Sequence, residues 1–273
     1  MRERSANTQG LPLAGWRVVI TRPAPDADAL AHKIYLLGGQ PQVMPVLEIS
    51  TLHSESAKAA VTHLGEFDAV LLTSANAARA LGEVAESLKV DLSSPPRWLA
   101  IAEKTAGALA PLGLTAQTFA GVGTGREFAE ALVGEFQEYP HSRFLLLRGQ
   151  LARPELANAL RGAGHEVVDC VCYETRERKL PRAEWEGALS SPRTAILLFS
   201  PSAVHSLVNQ AGEMVLPGVG ERGFLAIAVG ATTAAACTTE GLAVAAVAER
   251  PNENGMIDAL VACCRHRQSG TIE

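Results

Sequence analysis

Polar side chains that could bind an anion recur directly after short apolar runs of this sequence. If each run is a parallel strand, these side chains lie in loops at the carboxyl edge of a sheet, where open α/β proteins bind their ligands. Helix N-termini at that edge add free N–H groups and the positive end of the helix dipole. The pattern predicts a polyanion site, unless the serines and threonines are only helix caps and the arginines only solvated strand ends. The residues concerned are Arg22, Thr73, Ser74, Asn76, Thr105, Arg148, Ser200, Ser202, Thr232 and Thr233.

Few other side chains offer chemistry. Tyr173, one of three tyrosines, lies in the run Val171–Thr175 and could protonate a ligand group, or it could only pack at a hinge. The glycine-rich segment Gly121–Gly125 precedes a helical pattern and could cradle a phosphate, but no dinucleotide fingerprint or Walker lysine accompanies it. The sequence has no GxSxG motif, no evident carboxylate pair and no helical pair of histidines. An enzyme with this sequence would therefore rely on binding and positioning.

The composition argues against several classes of partner. Lys and Arg total 24 against 29 Asp and Glu, a formal net charge of −5, so nothing supplies a basic face for nucleic acid or an anionic membrane. The five cysteines form no CxxC pair and indicate reduced thiols rather than a disulfide or zinc framework. No apolar signal segment opens the chain, and the uncharged stretch Gly223–Thr239 is too short to span a bilayer. We expect a cytoplasmic protein that binds a small molecule, without metal, nucleic acid or membrane.

Three blocks of the sequence occur twice, in the same order and with nearly the same spacing. Each block is typical of a short buried strand followed by a turn and a helix. The chain is therefore predicted to be a duplicated unit of about half its length, in keeping with roughly 150 residues per domain. The aligned pairs are Val18–Ile49 with Phe144–Thr175, Ala69–Leu81 with Ala195–Leu207, and Ile101–Leu132 with Val229–Leu260.

The alternation of strands and helices favours doubly wound parallel sheets. The repeats alone place a tandem domain boundary in the polar stretch Glu135–Ser142. Two extended runs, Gln42–Ser50 and Glu166–Arg176, offer a different boundary, because they could pair with each other and carry the chain between domains. The pattern by itself does not choose between the two.

Five segments span nearly the whole chain: VVITRPAPDADALAHKIYLLGGQPQVMPVLEI, FDAVLLTSANAARAL, FLLLRGQLARPELANALRGAGHEVVDCVCYET, AILLFSPSAVHSL and AIAVGATTAAACTTEGL. In this order and spacing they resemble the uroporphyrinogen-III synthase family. The resemblance implies two similar flavodoxin/Rossmann-like α/β domains with doubly wound parallel sheets, joined by a two-stranded β ladder, with the active site in the cleft between them. It implies a discontinuous domain of residues 1–49 and 177–273, a second domain of residues 54–168, and linker strands at about 46–53 and 169–176.

The function that the resemblance implies is that of a cofactor-free lyase of tetrapyrrole (haem) biosynthesis. The family closes linear hydroxymethylbilane into uroporphyrinogen III, with loss of water and inversion of ring D through an azafulvenium and a spiro intermediate. Such an enzyme must hold a flexible octacarboxylate so that this closure wins over the spontaneous one, which makes positioning its main task. We also expect a monomer, with transient handover of the substrate from hydroxymethylbilane synthase.

The resemblance also implies roles for individual residues. Tyr173 matches the tyrosine expected to assist departure of the hydroxyl group, Thr105 and Thr233 match threonines of two V-G-x-x-T loops, and the serines and the asparagine named above match strand–helix turns. The first loop departs from the family pattern, because Ala102 stands where glycine is usual. This departure keeps a second hypothesis open, an inactive regulatory clamp of the same fold that binds a tetrapyrrole or a small anion. A third hypothesis is a nucleotide-dependent enzyme that uses Gly121–Gly125.

Overall fold

The computed structural model describes residues 10–23, 26–93, 96–216 and 224–268. The N-terminal arm and the end of the C-terminal tail lie outside these residues. The chain divides into two compact units. The first unit takes the chain up to Glu48 and again from Glu177 onward, and the second unit is Ile49–Arg176.

Short apolar runs form most of the strands, as parallel strands that are covered on both faces require. In chain order the strands are β1 (Arg17–Ile20), β2 (Gln40–Val43), β3 (Leu47–Thr51), β4 (Ala69–Leu72), β5 (Arg97–Ala100), β6 (Arg143–Gly149), β7 (Glu166–Glu177), β8 (Thr194–Leu198), β9 (Phe224–Ala228) and β10 (Ala246–Val247). The α-helices are α1 (Asp26–Leu36), α2 (Glu55–Thr62), α3 (Ala75–Leu88), α4 (Glu103–Gly107), α5 (Gly125–Glu135), α6 (Glu155–Gly162), α7 (Arg182–Leu189), α8 (Pro201–Ala211), α9 (Ala231–Thr239) and α10 (Glu253–Gln268). Short 3₁₀ turns lie at Leu64–Glu66, Ala110–Leu112 and Gly212–Met214.

The first unit is a doubly wound sheet with the order β10-β9-β8-β1-β2, and the neighbouring strands run parallel. Numbered within the unit, this is the 2-1-3-4-5 order of flavodoxin-like folds. One face of the sheet packs against a core that includes Trp185 and Leu207. The other face packs against Leu30 and Leu260, so helices cover both sides.

The second unit has a related arrangement with a different chain order, β3-β7-β6-β4-β5. Strands β7, β6, β4 and β5 take the places of β2, β1, β8 and β9, and β3 adds a strand at the edge. Strands β7, β6, β4 and β5 are parallel, and Gln117 adds a parallel bridge beside Leu99. One face of the sheet is buried against Leu81 of α3, and the other against Phe128 of α5. The predicted fold class, α/β with doubly wound parallel sheets, is confirmed.

The two sheets share one strand register, although their blocks are exchanged. Arg17 pairs with Gln40 in the first unit, and Arg143 pairs with Glu166 in the second, so each residue lies 126 positions from its counterpart. Strand β1 pairs with β8 rather than β4, and β6 pairs with β4 rather than β8. The first block of each half therefore completes the sheet of the other half. The tandem boundary in Glu135–Ser142 is wrong, because that stretch connects α5 to β6 inside the second unit.

The predicted extended run Gln42–Ser50 is split between the two sheets. Strand β2 belongs to the first sheet and β3 to the second. Between them the chain still follows the end of β1, with the Met44 N–H donating to the Ile20 carbonyl at 2.9 Å. Pro45 has no N–H to donate, and the contact continues at Val46, whose N–H donates to the Thr21 carbonyl at 3.2 Å. The other run, Glu166–Arg176, lies within the continuous strand β7, the hydrogen-bonded neighbour of β3.

Local signals place the helix ends correctly. Gly38 and Gly164 follow α1 and α6 with φ values of +87° and +91°, a backbone conformation in which glycine meets no Cβ penalty. Ser74 and Ser200 cap α3 and α8 with their side chains, and Pro201 occupies the first turn of α8. The serines fix where strand–helix loops end at the carboxyl edge of each sheet, and the two glycines lie in helix–strand loops at the opposite edge.

Candidate functional site

A pocket of about 630 Å³ lies at the carboxyl edge of the sheet in the second unit. Loops that follow β4, β5 and β6, the end of β7, and the first turns of α5 and α6 line it. Parallel strands end at the same edge of a sheet, so the topology itself gathers these loops. The polar side chains of its lining are Thr73, Ser74, Thr124, Arg126, Arg148, Arg153, Glu155, Tyr173 and Thr175.

Ser74 is fixed where β4 turns into α3. Its backbone is extended, with φ −158° and ψ 154°, and its Oγ accepts a hydrogen bond from the Ala77 N–H at 3.1 Å. Strand β4, which ends two residues before Ser74, consists of four buried apolar side chains, so the strand cannot shift without exposing them. Ser74 is thus a helix cap, as one reading of the sequence held, and it also lines the pocket.

The Tyr173 hydroxyl lies 3.0 Å from Ser74 Oγ. A serine hydroxyl has one hydrogen to donate and two lone pairs, and the Ala77 N–H already occupies one lone pair. When Ser74 donates to the phenol oxygen, the Tyr173 proton is free to point at a ligand in the pocket. This contact holds the phenol at a fixed place on the pocket wall, and a catalytic role for Tyr173 stays a prediction.

Arg148 enters the pocket as a paired cation. Its Nε donates to Asp169 Oδ1 at 2.5 Å and its Nη2 donates to Oδ2 at 3.0 Å. This is the bidentate geometry of arginine–carboxylate pairs. The hydrogen bonds that Arg148 donates to Asp169 raise the pKa of the guanidinium above its usual value. A third donor, Nη1, holds the Gly149 carbonyl at 3.1 Å. The charge of Arg148 is thus balanced within the protein before any ligand arrives.

Two arginines of the pocket were missed by sequence reasoning. Arg126 is exposed in the first turn of α5, and Arg153 is exposed just before α6. Both line the pocket, and the structure shows no ion pair of either side chain within the described residues. The glycine-rich segment beside Arg126 is a sequence signal for this wall of the pocket, but by itself it suggests only a phosphate-binding loop.

The segment Gly121–Gly125 is largely occupied by its own hydrogen bonds. Thr124 and Glu127 form a capping box at the start of α5. The Glu127 carboxylate accepts from the N–H groups of Gly123 at 2.9 Å and of Thr124 at 2.8 Å. The Gly123 hydrogen bond contributes most to lowering the pKa of Glu127. These N–H groups already hold a carboxylate, which weighs against the nucleotide hypothesis.

The pocket does not include every residue predicted in the second unit. Thr73, Ser74, Arg148 and Tyr173 line it, whereas Asn76 and Thr105 do not. Asn76 Oδ1 accepts a hydrogen bond from Arg79 at 2.6 Å. Thr105 is buried in the first turn of α4, whose cap residue Ala102 offers no side-chain hydrogen bond.

The other predicted residues, Arg22, Ser200, Ser202, Thr232 and Thr233, follow strands of the first sheet at its own carboxyl edge. Arg22 contacts Asp26 at 2.6 Å and Glu253 at 3.5 Å, and its guanidinium lies 4.6 Å from the centre of the Phe199 ring. Ser200 Oγ accepts from the Ala203 N–H at 3.2 Å. Ser202 is half-buried, Thr232 is exposed and Thr233 is buried.

Within the described ranges no cluster of three or more His, Cys, Asp or Glu side chains could hold a metal ion. In that part of the chain, no helix combines the length and apolarity that crossing a membrane requires.

These features define a class of protein: two α/β units with parallel sheets of flavodoxin-like order, one of which carries a polar pocket at its carboxyl edge. The family model described as Uroporphyrinogen-III synthase HemD matches residues 28–258. The chain belongs to this uroporphyrinogen-III synthase family.

Two relatives agree with this assignment. Porphyrin biosynthesis protein HemD from Ruminiclostridium josui is 24% identical over 258 residues, which are 92% of this chain and 49% of that protein. Uroporphyrinogen-III synthase from Synechococcus elongatus is 32% identical over 173 residues, 60% of this chain and 62% of that protein. The chain thus spans about half of the first relative and under two thirds of the second.

Two crystal structures share the fold. That of a mutant uroporphyrinogen III synthase from Thermus thermophilus is 23% identical, with a TM-score of 0.55 over 92% of this chain and 99% of that one. That of uroporphyrinogen-III synthetase from Helicobacter pylori is 18% identical, with a TM-score of 0.61 over 90% and 99%. At these identities the likeness supports the α/β architecture alone.

Proposed function

We propose that this chain is a uroporphyrinogen-III synthase, a lyase that closes hydroxymethylbilane into uroporphyrinogen III with loss of water and inversion of ring D. Family membership supports the reaction class. The observation that carries the proposal is the Tyr173 hydroxyl, held 3.0 Å from Ser74 at the wall of a pocket that also contains Arg126 and Arg153. A proton donor beside two cations that form no ion pair with any described residue suits a polycarboxylate whose hydroxyl group must depart.

Tyr173 is the proposed catalytic acid of the first step. The C–O bond of the hydroxymethyl group breaks, and its electron pair leaves with the oxygen, which takes the phenol proton and departs as water. Electron density from the adjacent pyrrole nitrogen fills the gap and gives the azafulvenium. Ring closure later releases a proton from the attacked pyrrole carbon, and its return to the phenolate restores Tyr173.

Binding falls to groups that need little net charge. The N-termini of α3, α5 and α6 meet at the pocket, and Arg126 and Arg153 supply the cations. Each charge-assisted hydrogen bond to a substrate carboxylate contributes roughly 1.5–3 kcal/mol, so a few of them hold a flexible chain in one shape. The contacts predicted in the first unit, at Arg22, Ser200 and Thr233 among others, stay predictions.

The test is the isomer of the product. Freshly made hydroxymethylbilane is supplied, and the porphyrin formed after oxidation is identified. We expect isomer III at a rate above the blank, whereas isomer I alone at the blank rate would refute the proposal. Tyr173→Phe should lower turnover several-fold while the protein stays folded, and unchanged turnover would remove Tyr173 from the mechanism. The proposal includes a monomer that needs no cofactor and acts in the cytoplasm.

A second candidate is a regulatory clamp that binds a tetrapyrrole without turning it over. Ala102 favours it, because α4 begins without a side-chain cap and with a Cβ where the family pattern has glycine. Tight binding of uroporphyrinogen III together with no isomer III formation would support the clamp. Ala102→Gly distinguishes the two readings further, since a gain of turnover in that variant would identify Ala102 as the cause of weak activity.

A further inference from the structure

The contact between Tyr173 and Gly149 accounts for how the phenol reaches Ser74. The three residues follow one row across neighbouring strands, because Leu72 of β4 pairs with Leu147 of β6, and Gly149 of β6 pairs with Tyr173 of β7. Neighbouring strands lie about 4.8 Å apart, so the tyrosine ring on β7 must cross β6 to place its hydroxyl beside the end of β4. It crosses at Gly149.

Any other residue type at that crossing would displace the tyrosine ring. A Cβ on Gly149 would lie 2.5 Å from Cζ of Tyr173 and 2.7 Å from both its Cε2 and its hydroxyl oxygen, well inside van der Waals contact. The backbone φ of Gly149 is not positive, so the demand for glycine comes from space rather than from backbone conformation. Gly149 is itself buried, and its carbonyl is held by Arg148, so it cannot move aside freely.

A bulge in β7 sets up the crossing. Arg148 pairs with Val171, but Gly149 pairs with Tyr173, so Cys172 is an extra residue on β7. The Tyr173 carbonyl accepts a hydrogen bond from the Gln150 N–H at 3.0 Å, which closes the ladder again after the bulge. Without the extra residue, the side chain opposite Gly149 would belong to Cys172.

We propose that Gly149 is a positioning residue for Tyr173, whose ring passes over the bare Cα of Gly149 to dock its hydroxyl on Ser74. The catalytic consequence rests on the proposed function, whereas the placement of the ring does not. Gly149→Ala should displace the Tyr173 ring from Ser74 and misplace the proton donor, while the rest of the pocket keeps its structure. A misplaced catalytic group lowers the rate of the chemical step, so kcat should fall and KM should change little.

The first experiment compares three variants in the isomer assay. Gly149→Ala should lower kcat several-fold, as Tyr173→Phe does, with KM within about twofold because uniform binding is retained. Gly162→Ala, at a helical glycine whose Cβ would meet no atom within 4 Å, is the matched control and should behave as the wild type. In the Tyr173→Ala background, Gly149→Ala should cause no further loss, because the clash partner is gone. An equal loss in both backgrounds would overturn the proposal.

The second experiment needs no activity. The chain has three tyrosines, Tyr35, Tyr139 and Tyr173, so 3-fluorotyrosine labelling should give three fluorine NMR signals, and Tyr173→Phe assigns one of them. Gly149→Ala should move the Tyr173 signal alone, and Gly162→Ala should move none. An unmoved Tyr173 signal would overturn the proposal, whichever product isomer the wild type makes. A wild type that yields only isomer I would instead defeat the proposed function and leave this result standing.

The proposal stays testable if Gly149→Ala folds poorly. The double variant Gly149→Ala with Tyr173→Ala should then be as stable as Tyr173→Ala alone, because the added methyl group replaces part of the missing ring. A double variant that unfolds far below Tyr173→Ala in a thermal melt would show that Gly149 is needed for some other reason.

Discussion

Ser74 and Ser200 cap equivalent helices of the two units, yet only Ser74 holds a tyrosine hydroxyl. At the shift of 126 residues, the counterpart of Tyr173 is Leu47, which packs against the core of the first unit. The counterpart of Gly149 is Pro23. Gly149 and Tyr173 are paired on neighbouring strands of one sheet, whereas Pro23 lies beyond the end of β1 and Leu47 belongs to β3. The duplicated scaffold thus keeps its caps in both copies, whereas the phenol and the space that it needs occur in one copy.

Arg22 and Arg148, in contrast, are equivalent arginines of the two units but have different partners. Arg22 and Arg148 occupy the same place in the two units, and each is tied to a carboxylate of its own unit. Their partners differ, because Arg22 reaches forward into α1 and to Glu253, whereas Arg148 reaches across to β7. A shared residue with different local partners indicates a role in holding the strand-tip loops.

The largest expected effect is a loss of stability in one unit, and it tests whether the two units unfold independently. Phe144→Ala should destabilise the second unit by about 3–5 kcal/mol, because a fully buried aromatic side chain leaves a cavity. The comparable variant in the first unit is Phe224→Ala, since the Phe224 side chain is also buried. Hydrogen exchange resolved by peptide should accelerate in β4–β7 for the first variant and in β8–β9 for the second. Acceleration throughout the chain in both variants would mean that the units unfold as one.

The next largest expected effect is the loss of stability when Arg148 or Arg22 is replaced. Arg148→Ala leaves Asp169, whose side chain is 19% exposed, without its partner, and should cost about 1–2 kcal/mol of unfolding free energy, below the 3–5 kcal/mol of a fully buried pair. Arg22→Ala should cost a similar amount in the first unit. Chemical denaturation and KM are measured together. A raised KM at unchanged stability would instead give Arg148 the substrate-binding role that the sequence predicted.

The two cap serines give the most direct comparison of the units, because they occupy equivalent positions. Ser74→Ala and Ser200→Ala should each lose about 1 kcal/mol, because each leaves a helix N-terminus without its side-chain acceptor. Only Ser74→Ala should also lower kcat, since it alone releases the Tyr173 hydroxyl. Equal stability losses with equal turnover would show that the Ser74–Tyr173 contact has no part in catalysis.

The sequence predicts what is local and misses what crosses between strands. Strand and helix positions, the serine caps and the glycine stops followed from apolar runs and from residues next to them. The exchange of blocks did not follow from such local patterns, because β1 carries no local mark that favours β8 over β4, and only the family resemblance implied a discontinuous domain. The bulge before Tyr173 and the pairing of Arg148 with Asp169 are likewise set by register between strands. Tyr173 was found, but its contacts with Gly149 and Ser74 needed the fold.

The smallest expected effect is a pH response confined to the second unit. His165 is 7% exposed, its ring centre lies 5.1 Å from that of Phe144, and its Nδ1 has no partner in the described part of the chain. Burial, with a smaller contribution from His141, lowers the pKa of His165 below its usual value. The counterpart in the first unit is Gly39.

The sign of this response follows from linkage. The unfolded chain binds a proton at His165 near pH 6.5 while the folded chain does not, so stability should fall as the pH drops below about 6.5. Between about pH 7.5 and 5.5, exchange in β6 and β7 should rise more in the wild type than in His165→Leu. The first unit, which lacks the histidine, should show no such difference between the two proteins. An equal acid response in the wild type and in His165→Leu would mean that other groups of the second unit govern it.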